Sequence, residues 1–575
     1  MSQTASVVLL NGRVATPLAP SGYAEAVAVH PGGDIAAIGT DAEIHALIGA
    51  STRVLDLRGR LAIPSFSDAH VHAVGGGFER LNCDLSGLIA RDDCLATIAR
   101  HVAGLSAAGL PGDGWVLGGG WSMETFGAAG PLAADLDAVG AGRPAFLPNR
   151  DHHSAWVSSA ALALAGVDRN TPDPVDGRIE RDAQGVPTGT LHDGAMGLVG
   201  DLLPAPSAAE LDEALLCAQD YLHSLGVTRW QDAAVGAVPE LGIPDAFDVY
   251  RRAEASGALT ASVVGALWWD RRRGIEQLPE LLARRQAAGR GEGTTGDGHG
   301  SFRATSVKLM VDGVCETLTA AMTEPYLRTD LPPAAHEPHC GTFFLPPDEL
   351  TAIVAAVDAA GFQAHFHALG DRAVTAALDA LAALPDRVRT RSMRHHIAHL
   401  QFIRPSDMER FAEVGAVANF QALWAINDPQ MVDLTLPLVG PERAAWQYRI
   451  GSLAARGVPI AFGSDWPVSS PDPIQQIHVA VNRRLSPAFG RVGTPETDEA
   501  FLPSEAVSVA QAVGAFTTGT AWVNGAEAET GVLTPGRRAD IAVLSGDIFG
   551  MPAAEIGDTT VEVTVAGGRV VFGDE

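Results

Sequence analysis

The feature that most constrains this chain is an alternation of short apolar runs with helix-period segments through its middle. The runs are Leu61–Ser65, Val227–Gln231, Ala261–Leu267, Thr305–Val311, Phe362–His365, His396–His399, Ala416–Phe420 and Pro459–Phe462. Between most of them lie amphipathic patterns such as Asp348–Ala360, Arg372–Leu384 and Pro405–Val414. Parallel strands need a crossover, and a helix is the usual one, so eight such units predict an α/β fold with a closed (β/α)₈ TIM-like barrel.

The length of 575 residues exceeds one ordinary domain. Both ends read differently from the middle. Ser6–Leu10, Ala26–His30, Asp34–Ile38 and Arg53–Asp56 are short apolar runs between turn residues, as are Ala539–Leu544, Glu562–Ala566 and Arg569–Phe572. A small β-sandwich composed of residues 1–62 and 525–575 is expected, around a barrel at 63–524. Residues 73–205 are too long for a loop and predict an inserted subdomain after the first strand. The Gly-rich stretch Gly289–Gly300 reads as a loose loop, and the Pro-rich 323–345 as a long loop over the barrel mouth.

The formal net charge of -28 opposes binding to nucleic acid or an anionic membrane, both of which would repel it. No apolar stretch approaches membrane-spanning length, and Val7–Leu10 ends in the turn pair Asn11-Gly12, unlike a signal peptide. The five cysteines are odd in number and widely spaced, which fits a reducing cytoplasm rather than a disulfide framework. Lys and Arg total 40, and all but one are arginine; the exception is Lys308. A buried lysine can lose its proton and act as a nucleophile, whereas a guanidinium stays charged. Chance retention in an Arg-biased chain is the competing explanation.

His70-Val71-His72 follows the first run, and two imidazoles spaced by one residue on an extended chain point the same way. Alone, this pair is a weak signal. Lys308 lies on the fourth strand, His367 follows the fifth, His399 ends the sixth and Asp465 follows the eighth. The C-terminal ends of barrel strands share one mouth, so these residues should converge there. Four imidazoles, a carboxylate and a lysine carboxylated by CO₂ suit two divalent, Zn-like ions sharing a bridging hydroxide. Mn, Fe, Ni or Co suit the same ligands. His365 and His396 read as lower barrel or core residues, and Cys315, off the strand, is a weaker bridge than Lys308. Trp121, His153, Trp424 and Trp466 are candidates for the substrate pocket. Turn capping, a structural contact in the insertion and core packing are the competing roles for these four.

The order HxH, Lys, His, His, Asp on strands one, four, five, six and eight resembles the amidohydrolase superfamily. Ile63-Pro64-Ser65-Phe66-Ser67-Asp68-Ala69-His70-Val71-His72, His367-Ala368-Leu369-Gly370-Asp371-Arg372-Ala373 and Gly463-Ser464-Asp465-Trp466-Pro467-Val468 are similar to its YtcJ-like branch, also called amidohydrolase family 3. That branch includes N-substituted formamide deformylases. His153-Ser154-Ala155-Trp156-Val157 and Gly189-Thr190-Leu191-His192 extend the resemblance into the insertion, while Ser65 stands where the branch often has Gly. The resemblance implies that His70 and His72 hold the more buried metal and His367 and His399 the more exposed one. Carboxylated Lys308 would bridge them, and Asp465 would touch the buried metal and shuttle the proton.

The implied activity is hydrolysis of a non-peptide C–N bond, in an amide or formamide, acting on a small-molecule substrate. Superfamily members often associate, so a homo-oligomer is compatible. A mononuclear deaminase is disfavoured, because His367-Ala368-Leu369-Gly370 lacks the Glu of the deaminase His-x-x-Glu. A lactone or ester hydrolase stays open, since the same hydroxide can attack those carbonyls. A non-catalytic regulatory barrel is disfavoured by the full ligand set.

Overall fold

The computed structural model describes residues 4–573 except 17–21, 109–113, 127–129, 239–243, 290–299, 328–338 and 490–498. Most of the Gly289–Gly300 loop and the middle of the 323–345 loop lie outside the described residues.

Eight parallel strands form the central sheet: β1 Phe66–Val71, β2 Val227–Val235, β3 Ser262–Trp268, β4 Ser301–Met310, β5 Gln363–Ala368, β6 His396–His399, β7 Val417–Phe420 and β8 Ile460–Phe462. They pair in that order. Most of their residues are buried, as expected for a parallel sheet covered on its outer face and filled within. Helices Pro347–Ala359 and Asp371–Ala382 flank β5 and agree with the sequence pattern to within two residues at each end. The third pattern splits into a short 3₁₀ turn, Pro405–Asp407, and a helix, Arg410–Val414.

The first strand is a correction. Leu61–Ser65, expected to open the barrel, supplies a strand of the terminal sandwich instead. Leu61–Pro64 pairs antiparallel with Ile541–Leu544 and parallel with Arg13–Ala15. The chain crosses at Ser65 and starts the barrel at Phe66. The apolar run belongs to the sandwich strand, whereas the barrel strand Phe66–Val71 carries Ser67, Asp68 and His70 and shows no apolar run of its own. The Ser65 amide still donates to the Asp540 carbonyl (3.0 Å) and the Phe66 amide already donates to the Gly226 carbonyl (2.9 Å), so the chain changes sheets between these two residues.

The sandwich stacks two sheets. One has the order Ile35–Gly39, Ala26–Val29, Val7–Leu10, Arg53–Asp56; the other combines Arg13–Ala15, Tyr23–Ala24 and Leu61–Pro64 with Ile541–Leu544, Val561–Ala566 and Arg569–Phe572. Val7, Leu9, Val27 and Ile35 pack against Ile541, Val543 and Val565 between them, so both chain ends share one core. Leu61, Ile63, Ala542 and Leu544 join the apolar core around Phe66 and Val227, and a buried polar contact adds to this tie to the barrel. Arg229 on β2 donates to Asp540 (2.8 Å), which also accepts from Thr530 (3.1 Å) and from the Gly567 amide (2.7 Å).

The insertion carries its own six-stranded sheet, in the order Gly177–Arg181, Pro187–Asp193, Ser154–Val157, Ala145–Pro148, Val116–Gly119, Cys83–Asp84. It leaves the barrel through helix Ala73–Leu81 and returns through helix Ala208–Ser224. These two helices touch backbone to backbone at Gly77, where a Cβ would lie 1.9 Å from the Ala214 carbonyl oxygen. Only glycine fits there, and the contact fixes the insertion over the barrel mouth. Among the described residues, no helix is long and apolar enough to cross a membrane.

Removing one partner of a buried ion pair strands the other charge, typically at a cost of about 3–5 kcal/mol. Because Arg229 also meets the half-exposed Glu529 at 3.2 Å, Asp540→Ala is expected to lower the unfolding free energy by a smaller amount, about 1–3 kcal/mol, in urea titration. A loss below about 1 kcal/mol would show that the barrel and sandwich do not depend on this tie.

Candidate metal centre

The strand ends bring the expected residues together. The carboxylate Oδ1 of Asp465 lies 3.2 Å from Nε2 of His70 and 3.1 Å from Nε2 of His72, and its Oδ2 lies 3.8 Å from Nδ1 of His399. Lys308 Nζ is 3.0 Å from His70 Nε2. The His367 ring sits 4.4 Å from that of His399, which is itself 4.8 Å from His70. Ligand atoms of His70, His399 and Asp465 all lie within 4.8 Å of one another.

Hydrogen bonds from the loop after β8 hold this geometry. The Asp465 amide donates to the His70 carbonyl (2.7 Å), and the His72 amide to the Trp466 carbonyl (2.8 Å). Asp68 accepts from the amides of His70 (2.9 Å) and Ser464 (3.0 Å). Gly463 lies so close that a Cβ there would be 2.6 Å from the His70 Cβ. Asp465 and His399 have φ of 57° and 75°, a left-handed conformation that costs a non-glycine residue about 1–3 kcal/mol when imposed by its surroundings. Asp312 pins the neighbouring strand ends by accepting from the amides of Ala321, Leu369 and Gly370 at 2.8–3.0 Å. Sequence reasoning missed Asp68 and Asp312 as positioning residues. The only signal was an Asp inside an otherwise ligand-bearing strand and another just past β4. Burial pushes both carboxyls up to about 7.

His365 and His396 form the layer beneath. His365 Nε2 shares a proton with His70 Nδ1 at 2.9 Å, which leaves His70 Nε2 facing Asp465 and Lys308. The His396 ring packs 4.1 Å from His365. Burial holds His70, His367 and His399 well below the usual imidazole range, His399 at about 3. Burial lowers the Lys308 ammonium to about 7 against the pull of Asp465. Burial opposes ionisation of Asp465, but the surrounding histidines outweigh it and hold the carboxyl well below its ordinary value. Neutral imidazoles beside an ionised carboxylate are the protonation states that bind a divalent cation.

The donor atoms fit such an ion. Among the described residues, His367 Nε2 and both ring nitrogens of His399 are buried without hydrogen-bond partners. Unsatisfied buried polar atoms are rare in folded proteins, and here they face one small cavity of about 40 Å³. That exceeds the ~10–15 Å³ that one water-sized occupant needs.

A larger cavity of about 490 Å³ adjoins it. Trp424 and Trp466, two of the expected pocket residues, line this cavity, and Trp424 stacks on His399 at 5.3 Å. His153 lines the small cavity, 5.6 Å from the His367 ring, with Nδ1 held by Asp193 at 2.6 Å. Burial lowers the basicity of His153, but Asp193, Asp151 and Asp312 more than compensate, so its pKa rises. Trp121 is a correction. It is fully buried among Phe126 and Trp156 in the insertion, donates to the Leu147 carbonyl (2.7 Å), and lines neither cavity. Its bulk packs the subdomain, and its carbonyl accepts from the Arg150 amide.

The profile of the amidohydrolase family matches residues 53–572. The chain belongs to the amidohydrolase family. This amidohydrolase is 28% identical to the putative amidohydrolase YtcJ of Bacillus subtilis, over 91% of this chain and 90% of that one. It is 29% identical to the protein LONG AFTER FAR-RED 3 of Arabidopsis thaliana, over 99% of this chain and 92% of the other. It is 26% identical to the N-substituted formamide deformylase of Arthrobacter pascens, over 99% and 98%. Among solved structures, an uncharacterized metal-dependent hydrolase from Pyrococcus furiosus superposes with a TM-score of 0.67 at 25% identity, covering 94% of this chain and 99% of that one.

The close approach at Gly463 gives a direct test of the closure. Gly463→Ala must move either β1 or the Asp465 loop, at a cost of about 1–3 kcal/mol, so its thermal midpoint should fall by about 1–3 °C. An unchanged midpoint would mean that the two segments are not locked together.

Proposed function

We propose that this amidohydrolase is a metal-dependent hydrolase that cleaves a non-peptide C–N bond, in an amide or formamide, within a small molecule. The observation that carries the reading is the buried set of unpartnered imidazole nitrogens around ionised Asp465, open to a substrate-sized cavity. The N-substituted formamide deformylase relative supports the bond type.

His70 and His72 with Asp465 would hold one divalent ion, and His367 with His399 a second. Zinc suits this set of imidazole and carboxylate ligands. Lys308, the one lysine of the chain, would join them as a CO₂-derived carbamate. Its lowered pKa supports this, because only a neutral amine attacks CO₂. Cations in this position lower the pKa of water and polarise a carbonyl.

The chain's own residues do the rest. Asp465 takes a proton from the attacking water as the C–O bond forms. It returns that proton to the departing nitrogen as the C–N bond breaks, giving a carboxylic acid and an amine. An amine leaves poorly unless protonated, so the carboxylate has work at both ends of the reaction. His153, fixed by Asp193, faces the same space and is placed to hydrogen-bond the substrate. Cytoplasmic residence belongs to the same reading and is supported by five free cysteines.

A panel of formamides and simple amides offered to metal-loaded protein should include hydrolysed members. On the best of them, Asp465→Asn is expected to reduce kcat by about 10²–10⁴-fold. Near-normal turnover by that variant would remove Asp465 from proton transfer, and a panel with no hydrolysed member would remove the amide assignment.

A further inference from the structure

The large cavity is unusual in its charge. Among the described residues, Glu79, Asp84, Glu124, Asp151, Glu316 and Asp428 line it against two guanidinium groups, Arg80 and Arg150. Arg80 lies over the Tyr221 ring at 4.0 Å, and Arg150 is engaged by Glu124 at 3.6 Å and by Gln430. An excess of carboxylate therefore faces the space where a substrate would lie.

Glu79 shows that this is more than a solvated acidic patch. Its side chain is only 9% exposed. One oxygen meets His152 Nε2 at 2.9 Å, while Oε2 is buried with no hydrogen-bond partner among the described residues. Glu79 and Asp151 line both the large cavity and the small one at the candidate metal centre, so they stand where the two meet. A buried carboxylate oxygen left without a donor is strongly unfavourable, which points to a donor that the chain itself does not supply.

Glu316 and Asp428 extend the same surface. Burial pushes both carboxyls up. Asp151 and Asp428 add to the effect at Glu316; at Asp428, Glu124 adds and Arg150 opposes. Each would be relieved by a nearby cation. Trp424 and Trp466 line the same wall.

We infer that the cavity selects substrates bearing a positively charged nitrogen, an alkylammonium arm a few bonds from the scissile amide, with Glu79 as its main acceptor. An ammonium group has three donors and no acceptor, which matches a wall of carboxylates. The inference rests on the amide-hydrolase reading for the scissile bond but not for the ammonium site itself.

The test uses metal-loaded protein and three formamides of similar length: N-formylputrescine with an ammonium arm, N-formylpentylamine with a neutral arm and N-formyl-δ-aminovalerate with a carboxylate arm. The ammonium substrate should exceed the neutral one in kcat/KM by about tenfold or more, with the anionic one lowest. In Glu79→Gln the ammonium-to-neutral ratio should collapse toward unity; a merely structural defect would lower both substrates and leave the ratio. Calorimetry with putrescine, which has no bond to hydrolyse, provides a second readout, and its affinity should fall about tenfold in the variant. If no formamide is turned over but putrescine binds in a Glu79-dependent way, the ammonium site stands and the amide reading falls. Equal use of neutral and ammonium substrates, no putrescine binding, or uptake of Ca²⁺ in its place would overturn the inference.

Discussion

The structure depends on the seam where the last barrel strand meets the first. β8 is short, and the loop after it, not a long ladder, carries the closure: the Asp465 amide reaches the His70 carbonyl, and the His72 amide reaches the Trp466 carbonyl. The same four residues bring the carboxylate to the paired imidazoles. Closure of the fold and assembly of the site are thus one event. Asp68 reinforces the seam by accepting amides from both sides of it. The left-handed backbone at Asp465 is tolerated because these contacts determine its position more strongly than its own φ preference does.

Such a site is costly to bury. Several imidazoles, a lysine and a carboxylate share a nearly dry space, and each charged form would be destabilised there unless opposed by another. The chain resolves this by keeping the histidines neutral, lowering Lys308 to about 7 and leaving Asp465 as the ionised group. The arrangement is ready for cations and poorly satisfied without them, which is why the unpartnered nitrogens of His367 and His399 weigh more than any single distance. The terminal sandwich and the insertion act on this centre from opposite sides. The sandwich anchors the start of β1 through Pro64 and Ser65, and the insertion supplies Glu79, Asp151 and His153 to the rim.

Much of this was legible in the sequence. Seven of the eight barrel strands, the sandwich made from both ends and the convergence of His70, His72, Lys308, His367, His399 and Asp465 follow from periodicity and from strand order in a parallel barrel. What escaped had physical reasons. The first barrel strand is hidden because Phe66–Val71 carries Ser67, Asp68 and His70 among its buried residues, while the apolar run just before it belongs to the sandwich. Trp121 follows three glycines, a local pattern that does not tell a pocket wall from a packed core; the Trp121–Trp156 contact that decides it joins residues far apart in the chain. Asp68, Asp312 and Glu79 act through backbone amides or cavity position, and neither leaves a spacing rule in the chain.

The family assignment and the barrel support a metal-dependent hydrolase, and our proposal adds that its single lysine joins two metal sites. Metal content tests this most directly. Protein loaded with Zn²⁺, dialysed and measured by elemental analysis should retain about two ions per chain. Retention of a single ion would reduce the centre to the His70, His399 and Asp465 group and leave Lys308 without a bridging role, and retention of none would contradict the account.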